Sequence, residues 1–254
     1  HTPVQAGAVY TTHSPKLSRI RRNILELIIS DHPLECLTCH ANGRCDLQKL
    51  AQEYGVRKPR YLNPKTYKPE PDHRHPFIKM EMEKCIACAR CVRACDEVQG
   101  SHILAMAGRG FANRVIAGNE TSLEQALCVS CGQCISQCPV GALSEPGQQD
   151  HGLPDRTVST TCTYCAVGCG FLVRIKDGQV IQMDPDPDGS ANRGHSCVKG
   201  RFGYGFVNHP ERLTQPLIRG KDGRHHPASW AEALKLISQR LTTIRDSNGP
   251  HAFG

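Results

Sequence analysis

The 254-residue chain carries 31 Lys and Arg against 24 Asp and Glu, a formal net charge of +7 with histidine neutral. Hydrophobic residues make up 39% and aromatic ones 5%, while cysteines number 15, which excludes a single large apolar core and predicts several small units held by more than packing. The thiols fall in tight C-x2-C groups rather than scattered pairs, so disulfides are disfavoured and a reducing compartment, the cytoplasm, is expected; no apolar run reaches bilayer length and no signal peptide is seen.

Residues 1–13 show no clear periodicity. From Ser14 a helix is predicted: Ser14 suits the N-cap, Pro15 the first helical position, and Leu17, Ile20, Ile24, Leu27 and Ile28 recur at helical spacing as an apolar face. The helix must end near His32-Pro33. His32, Cys36, Cys39 and Cys45 then read H-x3-C-x2-C-x5-C. These three cysteines lack a fourth partner, and neutral imidazole is a competent iron ligand, so His32 is the expected fourth, with His40 its competitor. Imidazole in place of a thiolate removes one negative charge and tends to raise a cluster's potential.

Residues 56–76 are Pro-rich and basic and read as a linker. Residues 77–148 hold one spacing twice, C-x2-C-x2-C-x3-C: Cys85, Cys88, Cys91 and Cys95, then Cys128, Cys131, Cys134 and Cys138 followed by Pro139. In such a run the first three thiolates hold one 4Fe-4S cube and the fourth ligates the cube of the other run. The expected ligand sets are therefore crossed, Cys85, Cys88, Cys91 and Cys138 for one and Cys128, Cys131, Cys134 and Cys95 for the other. Zinc ribbons are the competing reading. They draw two ligands from each knuckle, whereas three cysteines at steps of three wrap a cube. Between the runs, 103–106 and 114–116 predict short strands, and Thr121 with Glu124 makes a capping-box pattern that predicts a short helix before Cys128.

After a turn-rich gap at 145–155, Cys162, Cys165, Cys169 and Cys197 form C-x2-C-x3-C-x27-C, which suits a further cube or a structural zinc. A hairpin is predicted from 171–175 and 179–183 around Asp177-Gly178, and the Asp-Pro repeat at 184–188 reads as a loop. Ser229 and Glu232 form a capping box opening a helix through Ala233, Leu234, Ile237 and Leu241 that ends near Asn248-Gly249. The fifteen cysteines and His32 make sixteen ligands, and four cubes consume all of them, leaving no thiol as a nucleophile. An oxidised core of about +2 against four thiolates makes each all-Cys cluster anionic, so four clusters largely cancel the basic excess. The scattered Lys and Arg are then counter-charge, and nucleic acid is not an expected partner.

The wording of residues 32–48, HPLECLTC and GRCDLQ around the first ligand group, resembles the His(Cys)3 cluster domain. That domain occurs in the large iron-sulfur subunit of NADH-quinone oxidoreductase, in iron-only hydrogenases and in NAD-linked formate dehydrogenases. A 2Fe-2S domain precedes it in that family, and His1-Thr2-Pro3-Val4 resembles the residues just after its last cysteine. The C-x2-C-x3-C-x27-C group followed by Val198-Lys199-Gly200-Arg201-Phe202-Gly203 resembles the N-terminal 4Fe-4S domain of the molybdenum or tungsten bis-pterin oxidoreductases. Within those, residues 197–219 are most similar to formate dehydrogenases.

The resemblance implies an α+β multi-domain chain of small cluster-stabilised modules. These are the end of a 2Fe-2S region with a helical His(Cys)3 domain over 1–55, a linker over 56–76 and a twin 4Fe-4S ferredoxin-type domain over 77–148. A small β-rich 4Fe-4S domain over 155–211 and the start of an α/β pterin-binding domain over 212–254 follow, with the chain cut at both ends. It further implies an electron-relay segment of the α subunit of a cytoplasmic, NAD-dependent molybdenum formate dehydrogenase, with four 4Fe-4S clusters here. Bis-molybdopterin guanine dinucleotide with molybdenum or tungsten, and a 2Fe-2S cluster, would lie in the full-length protein. Implied partners are a flavin- and NAD-binding diaphorase-type subunit and a small 2Fe-2S subunit, with formate or CO2 as substrate and no membrane span. Electrons from the metal would enter at the Cys162/Cys165/Cys169/Cys197 cluster, with Lys199 between that cluster and the proximal pterin, and leave through the twin clusters. No catalytic residue is expected within this chain. The alternatives are the large iron-sulfur subunit of NADH-quinone oxidoreductase, a hydrogenase-linked electron-transfer subunit, and, from another class, a structural multi-zinc module.

Overall fold

The computed structural model describes residues 3–61, 70–147 and 151–253. They form two compact units, His1–Tyr204 and Gly205–Gly254.

In the first unit α1 (Pro15–Ser30) begins as expected: Ser14 is extended and its hydroxyl accepts the Leu17 amide at 3.2 Å, with Pro15 opening the first turn. The buried face differs from the expected one. Leu25, Ile29 and Glu26 turn inward, whereas Ile20, Ile24 and Leu27 are exposed, because the core against α1 is supplied by Leu47, Val140 and Ala142 rather than by a broad layer. Buried Glu26 is reached by Arg22, one turn earlier, and by Arg60 from the basic segment. The Arg60 hydrogen bond is the main reason its carboxyl is held below the ordinary carboxylate range, outweighing burial. Residues 56–61 are thus tied to α1, while 62–69 of the expected linker lie outside the described residues.

A turn-rich loop carries Cys36 and Cys39 to Cys45, which caps α2 (Asp46–Glu53). The following module is built from two short antiparallel pairs. β1 (Lys79–Met80) pairs with the later β4 (Leu143–Ser144), and β2 (Leu104–Ala107) with β3 (Arg114–Ala117). Between them lie α3 (Arg90–Arg93), continued by a π turn over Ala94–Val98, and α4 (Gln133–Gln137). Ile78, Met80, Leu104, Val115, Leu123 and Leu143 form its core with the side chains of Cys91 and Cys134. The helix expected from Thr121 is only a turn. The reciprocal cap is made one residue later, with Ser122 Oγ accepting the Gln125 amide at 3.1 Å and Gln125 Oε1 accepting the Ser122 amide at 3.3 Å.

The last module of this unit is a meander of β5 (Arg156–Thr161), β6 (Gly170–Lys176) and β7 (Gln179–Pro185), followed by α5 (Val198–Phe202). The expected hairpin is present, and Asp177 and Gly178 both take positive φ (48° and 77°), the pairing that matches strand twist. Sequence alone does not reveal β5: it is solvent-exposed at every position and carries no alternation to mark it. In the second unit β8 (Leu217–Arg219) pairs with β9 (His225–Pro227), and α6 (Trp230–Asn248) opens on the expected Ser229–Glu232 capping box and stops at Gly249. Among the described residues no helix is long and apolar enough to cross a membrane.

Because Glu26 is stabilised as a carboxylate, its contribution is present above the ordinary carboxylate pKa and lost as pH falls through the lowered folded value. Arg60→Ala should therefore speed hydrogen exchange of the α1 amides at neutral pH and do so less in acid, where a protonated Glu26 no longer needs the guanidinium.

Candidate metal centres

The structure gathers the sixteen expected donors into four groups. Cys36, Cys39 and Cys45 line one cavity of about 360 Å3 together with His32, against Ile29, Leu47, Ala51 and Val56. Interiors of this size are otherwise packed. His32 Nδ1 lies 2.8 Å from the Pro33 carbonyl oxygen, which can only accept, so Nδ1 carries the proton and Nε2, which is buried, presents the lone pair. His40 does not line this cavity. It turns toward Glu81 on a separate cavity shared with Arg44, Arg174 and Arg201, and burial, then Lys84, lower its pKa to about 4.

The eight cysteines of the two runs divide between two further cavities. One is lined by Cys85, Cys88, Cys91 and Cys138, the other by Cys95, Cys128, Cys131 and Cys134. The grouping is the crossed one. Burial pushes the Cys91 thiol up to about 12, followed by Cys138, Cys85 and Cys88, and pushes Cys134 well above the usual thiol range, followed by Cys131, Cys91 and Cys128. As free thiols these side chains stay protonated at neutral pH, and only a cation in the cavity would make their thiolates stable.

The backbone that aims them is alike in both runs. Ala87 and Ala89 flank Cys88 with φ of 53° and 57°, and Ser130 and Gly132 flank Cys131 with φ of 56° and 72°. Left-handed backbone at a non-glycine costs about 1–2 kcal/mol, so at Ala87, Ala89 and Ser130 the surrounding structure holds a conformation that local preference opposes. The result is an amide aimed at sulfur: Ala87 N–H lies 3.3 Å from Cys85 Sγ, and Ser130 N–H 3.4 Å from Cys128 Sγ. Ser130 is in turn held by His75. That ring's Nδ1 accepts the Phe77 amide at 3.2 Å, so Nε2–H donates to Ser130 Oγ at 3.1 Å.

In the last module Cys162, Cys165 and Cys197 each raise the pKa of Cys169, after burial, so these four also face one another. Asn192 holds the two ends of the group. Its Oδ1 accepts the Gly170 amide at 2.8 Å, and its Nδ2 donates to the Gly170 carbonyl at 3.1 Å and to the His195 carbonyl at 2.7 Å. Gly200 packs on the same site without a side chain; a Cβ there would meet the Phe171 ring at 2.8 Å and Cys162 Sγ at 3.3 Å. Lys199 is exposed on α5, two residues beyond Cys197. Spacing alone does not point to Asn192, His75 or the buried Arg201–Glu145 pair, whose atoms lie 3.0 Å apart. Among the described residues no three His, Cys, Asp or Glu side chains converge on a point for one metal ion.

Four family models match successive segments. Residues 21–60 match the NADH-ubiquinone oxidoreductase-G iron-sulfur binding region, and 75–144 the ferredoxin-like domain of NADH-quinone oxidoreductase subunit 3. Residues 155–209 match the molybdopterin oxidoreductase Fe4S4 domain, and 212–254 the molybdopterin oxidoreductase model. Successive segments of the chain are thus similar to iron-sulfur regions of NADH-quinone oxidoreductases and to molybdopterin oxidoreductases. In order along the chain, the matched models are two iron-sulfur-binding regions, an Fe4S4 domain and a molybdopterin oxidoreductase segment. The chain is 36% identical over 238 residues to the second G-type component of the NADH-quinone oxidoreductase of Rhizobium meliloti, covering 92% of this chain and 27% of that protein. It is 34% identical over 259 residues to the α subunit of the NADPH-Fe(3+) oxidoreductase of Geobacter sulfurreducens, covering 99% of this chain and 29% of the relative. A protein of Staphylococcus aureus assigned provisionally as a formate dehydrogenase is 31% identical over 276 residues, 92% of this chain and 28% of its own length. The chain thus spans between a quarter and a third of the length of these relatives.

Asn192→Ala removes three hydrogen bonds from half-buried backbone, a loss of up to about 1–3 kcal/mol for each group left unsatisfied. Hydrogen exchange should quicken at Gly170 and across 189–197 while the amides of α1 and α2 keep their protection.

Proposed function

We propose that this chain is the iron-sulfur electron-relay segment of the α subunit of a cytoplasmic, NAD-dependent molybdenum formate dehydrogenase. The supporting observation is the segregation of the eight twin-run cysteines into two cavities, with Cys138 lining that of the first run and Cys95 that of the second. The ligands would be His32, Cys36, Cys39 and Cys45 for one 4Fe-4S cluster, and Cys162, Cys165, Cys169 and Cys197 for another. Cys85, Cys88, Cys91 and Cys138 would hold a third, and Cys95, Cys128, Cys131 and Cys134 the fourth. When bound, such clusters supply reversible one-electron transfer. The protein's own part is to supply thiolates and amide dipoles at fixed positions and to keep the centres close.

Contacts between the modules support one continuous file. A Cβ on Gly141, three residues past Cys138, would sit 2.8 Å from Cys39 Sγ, so the His32 group packs directly on the Cys138 group. Cys91 and Cys134 share one core. Residues flanking Cys197 rest on the second run through the His195 Nδ1 contact to Gln133 Oε1 at 3.1 Å. On this reading Lys199, exposed beside Cys197, faces a pterin, and its ammonium favours an electron arriving at an anionic cluster. The molybdenum or tungsten bis-pterin site, the further 2Fe-2S cluster, and the diaphorase-type and small 2Fe-2S partner subunits belong to this same proposal. A second reading, the large iron-sulfur subunit of an NADH-quinone oxidoreductase, is favoured by the Rhizobium relative. The match of 212–254 to the molybdopterin oxidoreductase model is compatible with both.

Electron paramagnetic resonance of the reduced protein tests the assignment. Cys95→Ser should alter the signal of the centre built on Cys128, Cys131 and Cys134. Loss of the Cys85, Cys88 and Cys91 signal instead would show that each run serves its own cluster.

A further inference from the structure

We infer that Arg201 is a positioning residue that docks the Cys162/Cys165/Cys169/Cys197 centre on the Cys95/Cys128/Cys131/Cys134 centre and holds a buried positive charge beside the latter. The inference rests on the electron-relay reading and names the point where two of its centres meet.

Arg201 lies one helical turn beyond Cys197, its amide bonded to the Cys197 carbonyl at 3.2 Å, so its backbone moves with the last ligand of that group. Arg201 is 1% exposed. Its side chain leaves its own module and reaches the second cysteine run. There Nη1 donates to Ser136 Oγ, two residues past Cys134, and the aliphatic stem lies on Gly132, between Cys131 and Cys134. A Cβ on Gly132 would sit 2.4 Å from Arg201 Cδ, so the absent side chain is the seat for the arginine. Two neighbours repeat the contact, His195 on Gln133 and Phe202 stacked on Phe77 with ring centroids 4.9 Å apart.

The guanidinium is balanced from the far side. Nε and Nη2 donate to Glu145 Oε1 at 3.1 and 3.0 Å, and Asp184 stands 3.9 Å away. The cation therefore lies on the cysteine side and its counter-charge behind it. A fixed cation there favours the more negative, reduced form of the adjacent centre, and the Arg201 fork orients it through two carboxylate bonds and a hydroxyl at once.

The test is a redox titration of the anaerobically reconstituted protein followed by electron paramagnetic resonance, with the centre of the second run identified by its altered signal in Cys131→Ser. Arg201→Gln should lower the midpoint potential of that centre alone. Glu145→Gln, which removes the counter-charge and keeps the shape, should raise the same potential, so a result survives if the arginine variant fails to fold. Arg201→Lys should keep the potential near the wild-type value but weaken magnetic coupling to the Cys197 centre. Wild-type potentials in both the Gln variants, or a shift at the Cys85/Cys88/Cys91/Cys138 centre, would overturn the role of Arg201. Absence of cubane signals in the wild type would instead overturn the relay reading beneath it.

Discussion

Like charges have to be held together in a small, dry space, and most of this structure follows from that requirement. Thiols buried side by side resist ionisation, as the upward shifts of Cys91 and Cys134 show. Without a cation between them the groups are neutral, and with one they become its ligands and the folded state gains the binding free energy. With 5% aromatic residues and, among the described residues, two small apolar clusters, the fold would draw on that contribution. The left-handed backbone at Ala87 and Ser130 answers the same requirement, since it turns their amide dipoles toward sulfur.

The groups are also held against one another, and the means differ from one contact to the next. At the His32 end the modules approach through a missing side chain, Gly141 against Cys39. In the middle, Cys91 and Cys134 are part of one core. At the other end a buried ion pair, Arg201 with Glu145, does the joining. A buried pair is a weak source of net stability but strongly directional, because breaking it strands a charge. It therefore suits a contact whose purpose is alignment.

Much of this was legible from spacing. The caps at Ser14 and Ser229 depend on residues a few positions apart, where local geometry is a sufficient guide, and the repeated cysteine spacing pointed to the sets of thiols that line the two small cavities. What escaped the sequence depends on residues far apart. The inward face of α1 is decided by Val140 and Ala142, more than a hundred positions away, so helical periodicity pointed to Ile20, Ile24 and Leu27 instead. Thr121 and Ser122 offer adjacent hydroxyls, and the isolated bridge from Thr121 to Ala117 leaves Ser122 to cap. β5 is held by its neighbour's backbone and buries nothing. Asn192 and Arg201 are ordinary polar residues by composition, and only the carbonyls and carboxylates they meet give them a role.

The central claim is that four cubes, and not single metal ions, occupy these four groups. The most direct measurement is the iron, acid-labile sulfide and zinc content of the protein purified and kept without oxygen. Four cubes predict about sixteen iron and about sixteen sulfide per chain, with no stoichiometric zinc. About four zinc per chain, in a colourless protein free of sulfide, would contradict the account.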